Sequence, residues 1–355
     1  MGITKKIPVS VYGATGMVGQ RFIQLLYNHP WFRISSLASS ERSSGKPYQD
    51  ACRWLLEGDL PAEIANMVVQ PIQTLPEEAQ VVFSALPADI AREVEPKLAD
   101  AGYIVCSNAS AFRYDPDVPV IIPEINHDHT ALLETQRKTH GWKGLLVTSP
   151  NCTTTGIAMP LKPLHDAFGI TKVFAVTMQA VSGAGYPGLS FLDIEDNVIP
   201  YINGEEQKIE TETHFLLGKM VGHERVPAAM TISSQANRVS VKEGHTVCLS
   251  IEFEKKPARE EIISVLRSFK GIDNTPDLPS MPAQILVVRE EENRPQPRKD
   301  RNANDGMSIS IGRIRPCSIL DYKMVTVSHN TFRGAAGGSI LNAELLVEKG
   351  FIKYS

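Results

Sequence analysis

The residue with the sharpest chemical potential is Cys152, in Thr148-Ser149-Pro150-Asn151-Cys152-Thr153-Thr154-Thr155-Gly156. It follows a Pro-Asn turn and opens a stretch with helical character. A thiol at a helix N-terminus meets the positive end of the helix dipole and free backbone N–H groups. Both lower its pKa and favour the thiolate. The same N–H groups can hold an oxyanion, so the position suits covalent attack on an acyl carbon. Pro160 and Pro163 predict that this helix is short, because proline removes a hydrogen bond and clashes with the preceding turn.

A second chemical signature lies near the start, in Tyr12-Gly13-Ala14-Thr15-Gly16-Met17-Val18-Gly19. It follows the strand-like run Ile7–Tyr12 and opens a helix over Met17–Tyr27. Glycines there allow a tight turn and bring backbone N–H groups close to a pyrophosphate at a helix N-terminus. Gly13, Thr15, Gly16, Met17 and Val18 are therefore the candidate cofactor loop. The second strand ends in Ser39-Ser40-Glu41-Arg42. The hydroxyls of Ser39 and Ser40 and the charge of Arg42 suit a 2′-phosphate, which favours NADP, with Glu41 as a competing signal for a bare ribose. Ser84 and Leu86, in Ser84-Ala85-Leu86-Pro87, end a buried strand and could line the nicotinamide side.

These groups must be positioned by two kinds of architecture. Up to residue 150, short apolar runs at Ile34–Ala38, Val81–Ala85, Ile104–Ser107 and Val120–Ile122 alternate with helical stretches at Ile90–Ala99 and Thr130–Arg137. Such alternation predicts βαβ units and a parallel sheet. Beyond Cys152, longer alternating runs at Lys172–Val181, Thr246–Phe253, Met307–Ile314 and Lys323–Ser328 predict an antiparallel or mixed sheet. Helices at Gln207–Leu217 and Ala258–Phe269 would cover one side of it. Apolar residues at helical spacing in Ser339–Lys349 predict a terminal helix that returns to the first sheet. The expected fold is α/β: a Rossmann-type NADP-binding domain over 1–150, completed by the C-terminal helix within 331–355, plus an α+β catalytic and dimerisation domain over 151–330.

Composition excludes several functions. Among 355 residues, 36 basic and 40 acidic side chains give a net charge of −4, without the basic field that nucleic acid needs. No apolar run reaches the ~18–20 residues of a membrane helix, and no secretory segment is expected. The five cysteines are far apart and form no CxxC pair, so neither a disulfide framework nor a metal site is expected, and a cytoplasmic setting fits. His127-Asp128-His129 lacks an evident third ligand. The charged stretch Arg289–Asp305 carries both signs and two prolines, and predicts a solvated loop or subunit-contact arm.

Taken in order, Gly13–Gly19, Ser107-Asn108-Ala109 through Arg113, Pro150-Asn151-Cys152, Gln179-Ala180-Val181-Ser182-Gly183-Ala184-Gly185, and Arg238 with His245 resemble aspartate-β-semialdehyde dehydrogenase along essentially the whole chain, in the branch common in archaea and fungi. The resemblance implies that Cys152 forms an acyl-enzyme, with Gln179 orienting the substrate and His245 as general acid/base. Arg238 would hold the substrate α-carboxylate and Glu205, rather than its neighbour Glu206, the ammonium. Lys208 and Arg113 would take the phosphate, with Asn151 beside them in the substrate site. Ser182, Gly183 and Asn330 would lie near the nicotinamide. The implied reaction is NADPH-dependent reduction of L-aspartyl-4-phosphate to L-aspartate-4-semialdehyde, on the route to lysine, threonine and methionine, by a homodimer or homotetramer. Two alternatives remain at this stage: a CoA-thioester reductase resembling malonyl-CoA reductase on the same scaffold, and a Cys/His hydrolase or acyltransferase that would have no use for the glycine loop.

Overall fold

The structure, a computed structural model, describes residues 5–353. Its first sheet holds six strands: β1 (Ile7–Tyr12), β2 (Phe32–Ser39), β3 (Val69–Pro71), β4 (Val81–Ser84), β5 (Ile104–Ser107) and β6 (Leu145–Thr148). The order is β3-β2-β1-β4-β5-β6 and every pairing is parallel. Strands β4, β5 and β6 are buried throughout, which is why they read as short continuous apolar runs. The chain reverses its direction of travel across the sheet between β1 and β4. The glycine loop and Ser84 flank that switch point, where open parallel sheets bind ligands. Val120–Ile122 forms no strand; only an isolated bridge joins Val120 to Thr148.

The second sheet is mixed, in the order β13-β14-β15-β12-β7-β11-β8. Its members are β7 (Ile170–Gln179), β8 (Val198–Ile199), β11 (Thr231–Val239), β12 (His245–Phe253), β13 (Leu286–Val288), β14 (Ile309–Pro316) and β15 (Tyr322–Ser328). The strands β9 (Lys219–Val221) and β10 (Glu224–Val226) form a separate hairpin. Strand β11 has no strong apolar alternation in its sequence, Thr-Ile-Ser-Ser-Gln-Ala-Asn-Arg-Val, yet pairs in parallel with β7 over eight residue positions. On one face, Val173, Ala175, Val247, Leu249, Ile251 and Met324 pack with Ile157, Met159 and Leu161 of the helix Cys152–Phe168 and with Ile262 and Leu266 of the helix Arg259–Ser268. The other face is left open, with Phe174 44% exposed at its centre.

The helix Cys152–Phe168 is continuous for 17 residues, against the short piece expected from its prolines. Two causes act together. Nearly every side chain from Thr153 to Leu164 is buried, so tertiary packing outweighs propensity. The carbonyl of Gly156, which Pro160 leaves without its N–H partner, accepts from Thr326 Oγ1 of β15 at 3.2 Å.

The terminal helix Gly337–Glu348 is buried almost all round, and Ile340, Leu341, Leu345 and Leu346 join the core of the first sheet beside Val9, Val81 and Cys106. Arg289–Asp305 is no simple solvated loop. It folds around the fully buried Asp300, whose carboxylate pairs with Arg294 and with Arg289 at 3.1 Å.

Candidate active site

Cys152 is the first residue of its helix, four residues beyond the carboxyl end of β6. Asn151 caps the helix: its Oδ1 accepts from Thr153 N at 2.8 Å and Thr154 N at 3.1 Å. That leaves Sγ at the positive end of the dipole, 3.2 Å from His245 Nε2. The backbone N–H of Ala180 donates to His245 Nδ1 at 3.0 Å. A neutral imidazole with an accepting Nδ1 carries its proton on Nε2. His245 therefore presents an N–H to the sulfur.

Burial sets the protonation states. It pushes the His245 imidazole down to about 3, helped by Arg238 and His329, so the ring is neutral at ordinary pH. Burial pushes the Cys152 thiol up to about 12, Glu205 adds to this, and Arg113, Arg238 and the Thr153 hydroxyl act against it. The resting thiol is thus harder to ionise than its helix position alone predicts. One consequence is measurable. Alkylation of Cys152 in the free enzyme should keep accelerating from pH 7 to 9.5 as thiolate accumulates; a plateau near neutrality would contradict this electrostatic picture.

The charged residues converge on the same place. Glu205 opens the helix Glu205–Leu216, and its Oε1 accepts from Asn151 Nδ2 at 3.0 Å and Thr153 Oγ1 at 3.2 Å. Lys208 Nζ lies 3.8 Å from Glu205 Oε2. Glu206 faces away, accepting from Ala236 N. Gln179 ends β7 opposite Arg238 of β11, and Arg238 donates to Ala180 O at 2.8 Å. Arg113 donates to Asn108 O at 2.8 Å and pairs with Glu212 Oε1 at 3.0 Å. Glu212 also accepts from the backbone N–H of Asn151. Sequence reasoning passed over Glu212. Its only signal was its place two helical turns after Glu205, on the same face.

Two glycines are sterically required here. A Cβ on Gly183 would sit 2.8 Å from Arg238 NH1 and 3.2 Å from His245 Cε1. A Cβ on Gly334 would sit 2.7 Å from Cys152 Cβ. The first lets the Val181–Ala184 turn lie against Arg238 and His245, and the second lets the Phe332–Ala336 turn lie against Cys152.

At the other candidate loop, Gly13 has φ +74°, and a Cβ there would meet Ala85 O at 2.6 Å. Gly16 precedes the helix Met17–Leu26 with no side chain capping it, so its first N–H groups are free for an anion. Thr15 Oγ1 meets Ser39 Oγ at 2.7 Å. Ser40 and Arg42 lie exposed in the following turn, Ser84 is fully buried at the end of β4, and Leu86 is buried just beyond it. Asn330 Nδ2 donates to Ser182 Oγ at 2.8 Å and its Oδ1 accepts from Gly244 N at 2.9 Å. A cavity of about 710 Å³ opens beside Met17 and Ser182 and runs along the Met17–Leu26 helix. These residues fit a dinucleotide: a cradle that a Cβ would fill, free helix N–H groups, and an open cleft beside the start of the helix.

Comparison with known proteins agrees with that geometry. Residues 8–133 match the family model for the semialdehyde dehydrogenase NAD binding domain, and residues 161–333 match that for the semialdehyde dehydrogenase dimerisation domain. The aspartate-semialdehyde dehydrogenase of Archaeoglobus fulgidus is 49% identical over 344 residues, covering 97% of this chain and 99% of the relative. The chain belongs to the aspartate-semialdehyde dehydrogenase family. The Schizosaccharomyces pombe aspartate-semialdehyde dehydrogenase is 44% identical over 354 residues, 97% of this chain and 99% of that one. The crystal structure of the Candida albicans aspartate-semialdehyde dehydrogenase with NADP superposes with a TM-score of 0.89 at 42% identity, covering 98% of this chain and all of that one. Membership accounts for a dinucleotide loop and a cysteine–histidine pair in one chain, and a Cys/His hydrolase would have no use for the loop.

Proposed function

We propose that this chain reduces L-aspartyl-4-phosphate to L-aspartate-4-semialdehyde with NADPH, through a thioester on Cys152. The observation that carries the residue assignment is the 3.2 Å approach of Cys152 Sγ to an imidazole whose tautomer is fixed by Ala180. Sγ gives its proton to solvent water and attacks the acyl carbon as the thiolate, and the carbon–oxygen bond breaks with its electron pair leaving on phosphate. When bound, NADPH would supply the hydride that reduces the thioester carbon. The resulting tetrahedral oxyanion collapses to the aldehyde as the carbon–sulfur bond breaks and returns the electron pair to Sγ.

His245 serves this sequence as a hydrogen-bond donor from Nε2, to the thiolate and to the tetrahedral oxygen. Full protonation of the ring would break the Ala180 bond and is opposed by burial. Arg238 suits the α-carboxylate, Glu205 the ammonium, and Arg113 with Lys208 the phosphate, since planar guanidinium forks match both anions. Gln179, at the end of β7 beside Ala180, orients the acyl group. Backbone N–H groups of the loop Gly13–Val18 would hold the pyrophosphate of a bound dinucleotide, and Ser39, Ser40 and Arg42 would serve its 2′-phosphate.

The partner is a second copy of this chain, seated on the open face of the mixed sheet around Phe174, within the segment that matches the dimerisation domain. All five cysteines are free, which fits a reducing cytoplasm. No helix among the described residues is long and apolar enough to cross a membrane.

The test is oxidation of aspartate semialdehyde by NADP. The rate should depend saturably on phosphate, and arsenate should substitute for it. Oxidation that requires CoA and ignores phosphate would transfer the assignment to a CoA-thioester reductase and leave the Cys152 chemistry standing.

A further inference from the structure

Glu243 lies two residues before His245, in the turn that leads into β12, and the reaction as derived makes no use of it. Its carboxylate is nonetheless the meeting point of distant segments. Oε1 accepts from Arg21 NH2 at 2.7 Å and from Thr331 Oγ1 at 3.2 Å. Oε2 lies 3.6 Å from His329 Nε2. The backbone carbonyl of Glu243 accepts from Arg301 at 3.0 Å. The next N–H, of Gly244, donates to Asn330, which in turn binds Ser182. Gly244 has φ +99°, so the turn depends on a residue free to adopt that conformation.

Arg21 stands one turn into the Met17–Leu26 helix, the helix that the cofactor loop opens. It is itself held on three sides. NH1 donates to Gln24 Oε1 at 2.7 Å, NH2 meets Glu243, and the guanidinium lies 4.3 Å from the centre of the Phe332 ring. The Arg21–Glu243 pair is nearly dry, with side-chain exposures of 7% and 12%. Lys242–Glu57, which joins the same two parts of the molecule, is exposed at 66% and 88%. A charge pair withdrawn from water constrains geometry far more than an exposed one.

We infer that Glu243 is a positioning residue for the reduction. It fixes the 242–244 turn to the helix that carries the cofactor loop, and so sets the reach of His245 Nε2 to Cys152 Sγ together with the Asn330–Ser182 contact. This rests on the reading of His245 as the hydrogen-bond donor to the sulfur and the tetrahedral oxygen. Loss of the charge leaves Arg21 buried without its carboxylate and frees the turn. A displacement of about 1 Å at a catalytic group costs on the order of 100-fold in rate.

The test compares Glu243→Gln, Arg21→Met, their double variant, Lys242→Ala and His245→Ala with the wild-type enzyme. Glu243→Gln should lower kcat by ~10–100-fold, leave the KM for phosphate within about 2-fold, and slow Cys152 alkylation at pH 8 several-fold through weakening of the Nε2–H contact to the thiolate. Arg21→Met should do the same to a smaller degree. Because the two residues share one contact, the double variant should be no worse than Glu243→Gln alone. Lys242→Ala should match wild type, and Arg21→Lys should recover part of the Arg21→Met loss. A folded Glu243→Gln enzyme with wild-type kcat and alkylation rate, or additive losses in the double variant, would overturn the inference. Should Glu243→Gln fail to fold, Arg21→Met decides by the same readouts. A fully active His245→Ala would instead remove the donor reading beneath it, which keeps the two failures apart.

Discussion

Cys152→Ser is expected to bind NADPH and keep its fold while losing turnover by ~10³-fold or more. Nucleophiles of this kind act as a unit with their partner, and their removal is among the largest single losses an enzyme can show. The geometry sharpens the expectation. A serine hydroxyl needs a base, and His245 offers a proton from Nε2 rather than a lone pair, because Ala180 N–H occupies Nδ1. Nothing at this position would ionise the hydroxyl. Steady-state oxidation of the aldehyde, with NADPH fluorescence as the check on folding, reads the effect. A serine variant within 10-fold of wild type would remove Cys152 from the nucleophile's role.

The second large effect separates the two anion pockets. Arg238→Leu should raise the KM for the aldehyde by ~10–100-fold and that for phosphate much less, in line with ~1.5–3 kcal/mol for a charge-assisted hydrogen bond. For Arg113 a leucine is the wrong probe. Glu212 is fully buried against it, and stripping one partner from a buried pair costs ~3–5 kcal/mol of stability. Arg113→Lys keeps a charge for Glu212 and loses the planar fork, so it should raise the KM for phosphate ~10-fold and leave that for the aldehyde nearly unchanged. Equal effects of both substitutions on both substrates would mean that the pockets are not separate.

Both pockets were named from local motifs, and the chain carried that information for a physical reason. A glycine turn between strand and helix, or a cysteine after Pro-Asn at a helix start, is a short-range device whose residues are adjacent in sequence. The parallel sheet was equally legible, since buried strands such as Val81–Ser84 and Leu145–Thr148 read as continuous apolar runs. Polar strands hid themselves. β11 carries Arg238 but has three hydroxyl residues and two amides among its nine, and its place comes from pairing with β7.

By itself, then, the sequence determined the alternation of β and α that builds the first sheet, and it carried the candidate dinucleotide loop and the candidate nucleophile. Tertiary structure decided what depends on residues far apart in the chain. The prolines of the Cys152 helix are tolerated because Thr326, 170 residues away, takes the carbonyl that Pro160 frees. The thiol is harder to ionise than its helix position suggests because the folded chain buries it beside Glu205. The tautomer of His245 is written by Ala180, 65 positions distant, and the partner of Arg113 is Glu212, 99 positions distant. A proton's location and a buried charge's partner are set by distances of about 3 Å in space, which no spacing along the chain encodes.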